Sequence, residues 1–132
     1  ERFREGVSHY LRTNAYSNTD TSDLWDAIEV TSGAPVRRIM DSWIWQPGYP
    51  LVTVSIVEGA LELRQRRFGF DNGTADANVD SQRWAIPVHV RIGDDTTTLL
   101  LDDESATLPL DGDDASRPIV VNAGGHGFYR VA

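Results

Sequence analysis

"IMDSWIWQPGYP", residues 39–50, is where the chain changes period. Before it, apolar residues recur at helical spacing; after it, they alternate. Two tryptophans, a glutamine and a Pro-Gly-Tyr-Pro bend crowd into this short stretch, so an unusual amount of aromatic surface falls where a helix gives way to a strand.

On the N-terminal side, Phe3, Val7, Tyr10 and Leu11 fall on one face of a first helix, which should fray near Asn14 to Tyr16. The polar run "SNTDTSD" (residues 17–23) follows, rich in side chains that accept hydrogen bonds from free helix N–H groups. Thr21 is the expected N-cap, with Asp23 in the first turn, where the helix dipole favours a carboxylate. Leu24, Trp25, Ile28 and Thr31 mark the stripe of this second helix, Gly33 its left-handed stop. Pro35 suits the first turn of a third helix, in which Val36, Ile39, Met40 and Trp43 share a face.

On the C-terminal side, Leu51 to Val57 alternates, Gly59 permits a turn, and Leu61 to Phe68 forms a second strand. The stretch from Gly69 to Gln82 is polar and without period. Trp84, Ile86, Val88, Val90 and Ile92 alternate with Ala85, Pro87, His89 and Arg91, and Pro87 argues for an edge or a bulge. "GDD" at Gly93–Asp95 turns into Thr96–Leu101, and shorter strands are expected at Ala106–Leu110, Arg117–Asn122 and Gly127–Val131, with "DGDD" as a turn between the first two. The expected class is α+β: about three helices, then an antiparallel β-sandwich of about seven short strands.

The hydrophobic fraction of 40% is enough for a core, and 132 residues make one domain or two small pieces sharing an interface. No apolar run is long enough to cross a bilayer. The net charge of -8 opposes nucleic acid or an anionic membrane as partner, since both demand basic patches. Cysteine is absent, which excludes disulfide and thiolate chemistry; with no leader-like start, a cytoplasmic setting is the expectation. The first residue is Glu1 rather than Met, so a segment upstream is expected to have been removed. Every Lys/Arg position is arginine, which fits the coding bias of a GC-rich, bacterial genome and says nothing of mechanism.

Spacing alone yields no reaction centre. His9, His89 and His126 are never three or four residues apart, as zinc ligands on a helix would be, and are taken as unrelated. "DANVDS" (Asp76–Ser81) begins like a calcium loop but has Ser81 where the sharp turn wants glycine, and Pro87 where a bidentate glutamate should close the site. "AGGHG" (Ala123–Gly127) offers backbone N–H groups, yet no G-x-S-x-G nucleophile or Walker lysine accompanies it. "DDES" (Asp102–Ser105) reads as a solvated acidic loop, and "NGT" (Asn72–Thr74) is a glycosylation sequon that matters only in a secreted protein.

A resemblance goes further. The stretch "FREGVSHYLRTNAYSNTDTSDLWDAIEVTSGAPVRRIMDSWIWQPGYPLVTV" resembles the segment that closes the catalytic domain of the aminopeptidase N family of zinc metallopeptidases, the gluzincins. The positions that carry it include Gly6, Tyr10, Asn18, Asp23, Leu24, Trp25, Gly33, Trp43, Gln46, Gly48 and Pro50. "LRQRRF" (Leu63–Phe68), "WAIPV" (Trp84–Val88) and "NAGGHGFYRV" (Asn122–Val131) resemble the small β-sandwich domain of the same family, in the same order. The resemblance implies a parent that removes N-terminal residues from peptides, with a zinc ion held by an H-E-x-x-H motif and a downstream glutamate. This chain has no H-E-x-x-H, and the other catalytic motifs would lie upstream of Phe3, so no catalytic, cofactor or metal residue carries over.

Under that resemblance, residues 1–49 are the helical tail of a thermolysin-like catalytic domain and residues 50–132 the β-sandwich. Trp43, Trp45, Gln46, Pro47, Gly48, Tyr49 and Pro50 are then an interdomain joint: aromatic bodies bury much area on a short segment, and prolines remove backbone freedom. The implied partners are the remaining domains of the parent and its peptide substrates, with self-association through the apolar face of the first helix once its neighbours are missing. The rival reading is an independent acidic module that binds a peptide or another protein.

Overall fold

The computed structural model describes residues 1–69 and 82–132. Among them lie three α-helices and seven strands in two sheets, the α+β class read from the sequence. The chain divides into two compact units, Glu1–Trp45 and Gln46–Ala132. None of the described helices is long and apolar enough to cross a membrane.

In the first unit, α1 (Arg2–Thr13) packs against α2 (Thr21–Ser32), and α3 (Val36–Ile44) follows. Helix α2 begins with a reciprocal cap. Asp20 has extended backbone, and its Oδ1 accepts from the N–H of Ser22 at 2.8 Å and of Asp23 at 3.3 Å. In return the Asp23 carboxylate accepts from the Asp20 N–H at 3.0 Å. The cap therefore falls one residue before Thr21, the expected position, because the Asp20 carboxylate reaches two free donors and also answers the helix dipole. Gly33 ends the helix in the left-handed region at φ 69, its N–H bonded to Glu29 O.

The contact between α1 and α2 is set by a residue that apolar periodicity passes over. Gly6 is the buried residue of α1. A Cβ built there would lie 2.8 Å from the Cα of Ile28 and 2.9 Å from Thr31 Oγ1, so the two helix backbones touch at this point. Arg2 at one end of α1 bonds Ser32 O, and Tyr10 further along reaches Thr19 Oγ1 at 2.5 Å. Val7 and Tyr10 of the expected stripe are half-buried, whereas Phe3 and Leu11 stay 66% and 62% exposed.

In the second unit, β1 (Pro50–Val57), β2 (Ala60–Arg67), β5 (Ser105–Pro109) and β7 (Arg130–Val131) form a sheet of order β5-β2-β1-β7. Strands β3 (Ile86–Ile92), β4 (Asp95–Leu101) and β6 (Ile119–Val121) form the other, in order β4-β3-β6. All pairings are antiparallel except β1 with β7, which run parallel through Leu51↔Arg130 and Val52↔Val131. Pro87 lies in the central strand of its sheet rather than at an edge, but pairing with β6 begins only at Val90, so its missing N–H costs no bond on that side.

Alternation places Val52, Leu61, Leu63, Ile86, Val88, Val90 and Leu101 in the core at 1% exposure or less. Gln65 continues the inward phase of Leu61 and Leu63 and is itself only 3% exposed. Its Oε1 accepts from the Trp84 N–H at 2.9 Å, while its Nε2 donates to Trp84 O at 2.9 Å and Asp103 O at 2.7 Å. A longer contact reaches Leu101 O at 3.4 Å. One amide thus ties β2 to the chain entering β3 and to the chain leaving β4.

Replacing Gln65 by leucine keeps the volume and strands these backbone groups without a partner. The expected loss is about 3 kcal/mol, from at least two buried groups at roughly 1–3 kcal/mol each, read as a lowered urea midpoint. Gln65→Glu should lose stability relative to the parent chain as pH rises from about 4 to 7. Burial raises the carboxyl pKa, so its neutral, donating form supports the fold only at the acid end.

Candidate functional site

The aromatic corner was built from the local sequence as a joint, and its residues fall on both sides of the border between the units. Trp43 is half-buried on α3. Trp45, the C-cap, is 77% exposed, and its Nε1–H donates to Asp41 Oδ1 at 3.3 Å. From Gln46 on, the chain is fastened to the sheets. Gln46 Nε2 donates to Arg83 O at 2.7 Å, and the exposed Pro47 follows. Gly48 takes φ 97 with the Arg67 side chain against it. Tyr49 O accepts from the Phe68 N–H at 2.9 Å, and the two rings stack with centroids 4.9 Å apart. Phe128 tilts against Tyr49 at 5.8 Å, and the Arg130 guanidinium lies 5.3 Å from the Phe68 centroid. Pro50 is fully buried at the first position of β1, opposite Arg67.

The three histidines do not fit a metal centre. His9 is exposed on α1, His89 Nδ1 pairs with Thr98 Oγ1 at 2.9 Å across β3 and β4, and His126 sits in the glycine-rich loop. Among the described residues no group of three His, Cys, Asp or Glu side chains is placed to hold a metal ion. The calcium-like run Asp76–Ser81 and the sequon Asn72–Thr74 lie outside the described residues.

The "NAGGHG" stretch is a closed structural loop. Asn122 Oδ1 accepts from the Gly127 N–H at 2.9 Å, and its Nδ2 donates to Gly127 O at 3.1 Å. Asn122, Gly124 and Gly125 all have positive φ, at 61, 86 and 69. The Gly125 and Gly127 amides are thus spent inside the loop and the Ala123 N–H on His89 O, and the chain delivers Tyr129 to the core, at 8% exposure, just before β7. Burial lifts the Tyr129 hydroxyl pKa above its ordinary value, opposed by the backbone of His89. "DDES" is likewise a connection between β4 and β5: Asp103 O accepts from Gln65, Asp103 Oδ1 from the Glu104 N–H, and Glu104 O from the Gln65 N–H.

Residue reasoning missed Gly6 and Gln65. The signal for Gln65 was its place two residues beyond Leu63 in an inward phase; Gly6 carried none in the apolar period, only its place among the positions of the family resemblance.

With this geometry in place, comparison with known proteins is direct. Residues 1–43 match the Peptidase family M1 domain. Over 99% of its length the chain is 40% identical to "Probable aminopeptidase 1" of Sulfurisphaera tokodaii and 37% identical to "Tricorn protease-interacting factor F2" of Thermoplasma volcanium. It is 38% identical, over the same share, to "Leucyl aminopeptidase" of Saccharolobus solfataricus. The chain spans 15–16% of the length of these relatives. It is thus a metallopeptidase-related chain of mixed helix and sheet. Residues 1–43 carry the M1 peptidase family match, and the similarity to relatives named aminopeptidases runs through both units.

The Asn122 loop makes a testable case of the family-like "NAGGHG" stretch. Asn122→Ala should cost about 3 kcal/mol, from two lost hydrogen bonds at roughly 1 kcal/mol each and a left-handed backbone at roughly 1–2 kcal/mol. Asn122→Gly should recover about 1 kcal/mol of that by relieving the backbone alone. Urea unfolding of the three proteins measures both steps.

Proposed function

We propose that the chain is the joining region of a longer zinc aminopeptidase that removes N-terminal residues from peptides. In this reading residues 1–49 end a thermolysin-like catalytic domain, residues 50–132 form a β-sandwich beside it, and zinc and the catalytic side chains belong to segments upstream. The supporting observation is near-complete alignment with aminopeptidases of which the chain spans 15–16%. The corner contributes too: Gln46, Tyr49 and Pro50 are anchored in the sheet unit directly after the helical unit ends, which suits a stiff connection. The partners of the region are the parent's other domains, and the exposed Phe3 and Leu11 are where α1 would meet them, or a second copy when they are missing. A cytoplasmic, bacterial enzyme is the setting proposed.

The alternative is an independent acidic module. It draws support from the sheet unit's own fully buried core and from the net charge of -8.

Two measurements separate the readings. The 132-residue chain alone should release no product from an aminoacyl reporter substrate, with or without added zinc; turnover that follows the protein through purification would refute the assignment of catalysis to other segments. In the longer protein, Pro47→Gly together with Pro50→Gly should lower kcat/KM several-fold at unchanged zinc content. Unchanged kcat/KM would remove the joint from the mechanism.

A further inference from the structure

An open cleft of about 320 Å³ lies within the helical unit, between the start of α2 and the end of α3. Its walls include the indoles of Trp25 and Trp45 and the carboxylates of Asp20 and Asp41, with Arg37 at one side. This combination is not explained by packing, since Trp45 is the more exposed of the chain's fold-adjacent tryptophans at 77%. Its indole is nonetheless held, by the hydrogen bond from Nε1 to Asp41.

The charges of the cleft have a sign. Both Asp26 oxygens accept from Arg37 Nη1, at 3.0 and 2.8 Å, so the guanidinium is answered by a carboxylate that does not line the cleft. Asp20 and Asp41 form no ion pair among the described residues. The N-terminus of α2 offers nothing to an anion, because its free N–H groups of Ser22 and Asp23 are already bonded to Asp20. What remains is an open concavity lined by two tryptophans and two aspartates, on a chain of net charge -8. Indole faces and carboxylates attract the same ligand, a cation, and a flat guanidinium satisfies both at once by stacking and by paired hydrogen bonds.

We propose that the Trp25–Trp45 cleft binds the cationic side chain of a basic peptide, an arginine in preference to a lysine. The inference stands independently of the aminopeptidase reading, since it uses only side chains of the helical unit.

The probe is N-acetyl-arginine amide, titrated at low salt into the isotope-labelled 132-residue chain while the indole N–H resonances are followed. Saturable shifts of the Trp25 and Trp45 indoles are expected, with the buried Trp84 indole unmoved and N-acetyl-citrulline amide, neutral and nearly isosteric, at least fivefold weaker. Trp45→Ala and Asp41→Asn should each weaken binding about fivefold, the scale of one exposed cation–π or charge-assisted contact. Trp45 is exposed and Asp41 half-buried, and circular dichroism checks that the fold survives each substitution. Absence of saturation up to tens of millimolar, equal binding of the citrulline compound, or affinity unchanged by both substitutions would each overturn the proposal. The last outcome would reduce the effect to general attraction by an acidic surface.

Discussion

The amide of Gln65 is the constraint on which the sheet unit turns. Apolar burial is non-directional: Leu61, Leu63, Val88 and Val90 would gain as much from several slid arrangements of the two sheets. A buried primary amide allows far fewer. It is costly to bury unless its donors and acceptor are matched, and here the match is the two-way pairing with the Trp84 backbone, extended to Asp103 O. Because Trp84 lies two residues before β3 and Asp103 two residues after β4, that pairing fixes where the second sheet begins and ends relative to β2. The backbone bond from the Gln65 N–H to Glu104 O adds a second stitch at the same residue.

How much of this was legible depends on which signals are periodic. Helices α1 to α3 and strands β1 to β3 declare themselves, since 3.6- and 2-residue patterns survive over seven or more positions, while β4 is marked by the turn before it. The cap of α2 was missed by one residue because Asp20 and Thr21 are both competent, and only backbone geometry shows which side chain reaches the free N–H groups. Strands β6 and β7 fall within the expected Arg117–Asn122 and Gly127–Val131 but keep only three and two residues, and the parallel partner of β7 is a matter of topology that no local pattern encodes. Gly6 is invisible for the opposite reason: its role is the absence of a side chain at a crossing, which a count of apolar residues scores as nothing.

The site was legible in a different way. Isolated histidines and acidic runs gave no reaction centre, and the structure assigns several of those motifs architectural work: the Asn122 loop, the Asp103–Glu104 turn and the His89–Thr98 pair. The corner at residues 43–50 was visible as a concentration of aromatic residues, but not how it is divided. Tyr49 joins the sheet unit because Phe68, nineteen positions along, stacks on it; Trp45 remains with the helices because its indole is tied to Asp41 one turn back. Those are long-range and local contacts respectively, and composition does not distinguish them.

The acidic charge is the property least used by the fold. Two of the ion pairs lie at the surface: Arg37 and Asp26 are about half exposed, and Arg117 answers Asp95, which is 83% exposed. Such pairs contribute little net stability and are screened by salt. Asp20 differs from these pairs, because three donors converge on its carboxylate; the hydroxyl of Ser22 and the N–H groups of Ser22 and Asp23 hold its pKa below the usual carboxylate range. Its contribution is therefore complete above the ordinary aspartate pKa and is lost only as pH falls through the depressed folded value. Acidic side chains outnumber arginines by 20 to 12, and the repulsion among the excess is a cost the buried core must offset. A net charge of -8 that the fold does not need is charge directed at the surroundings, and the surroundings it favours are cationic.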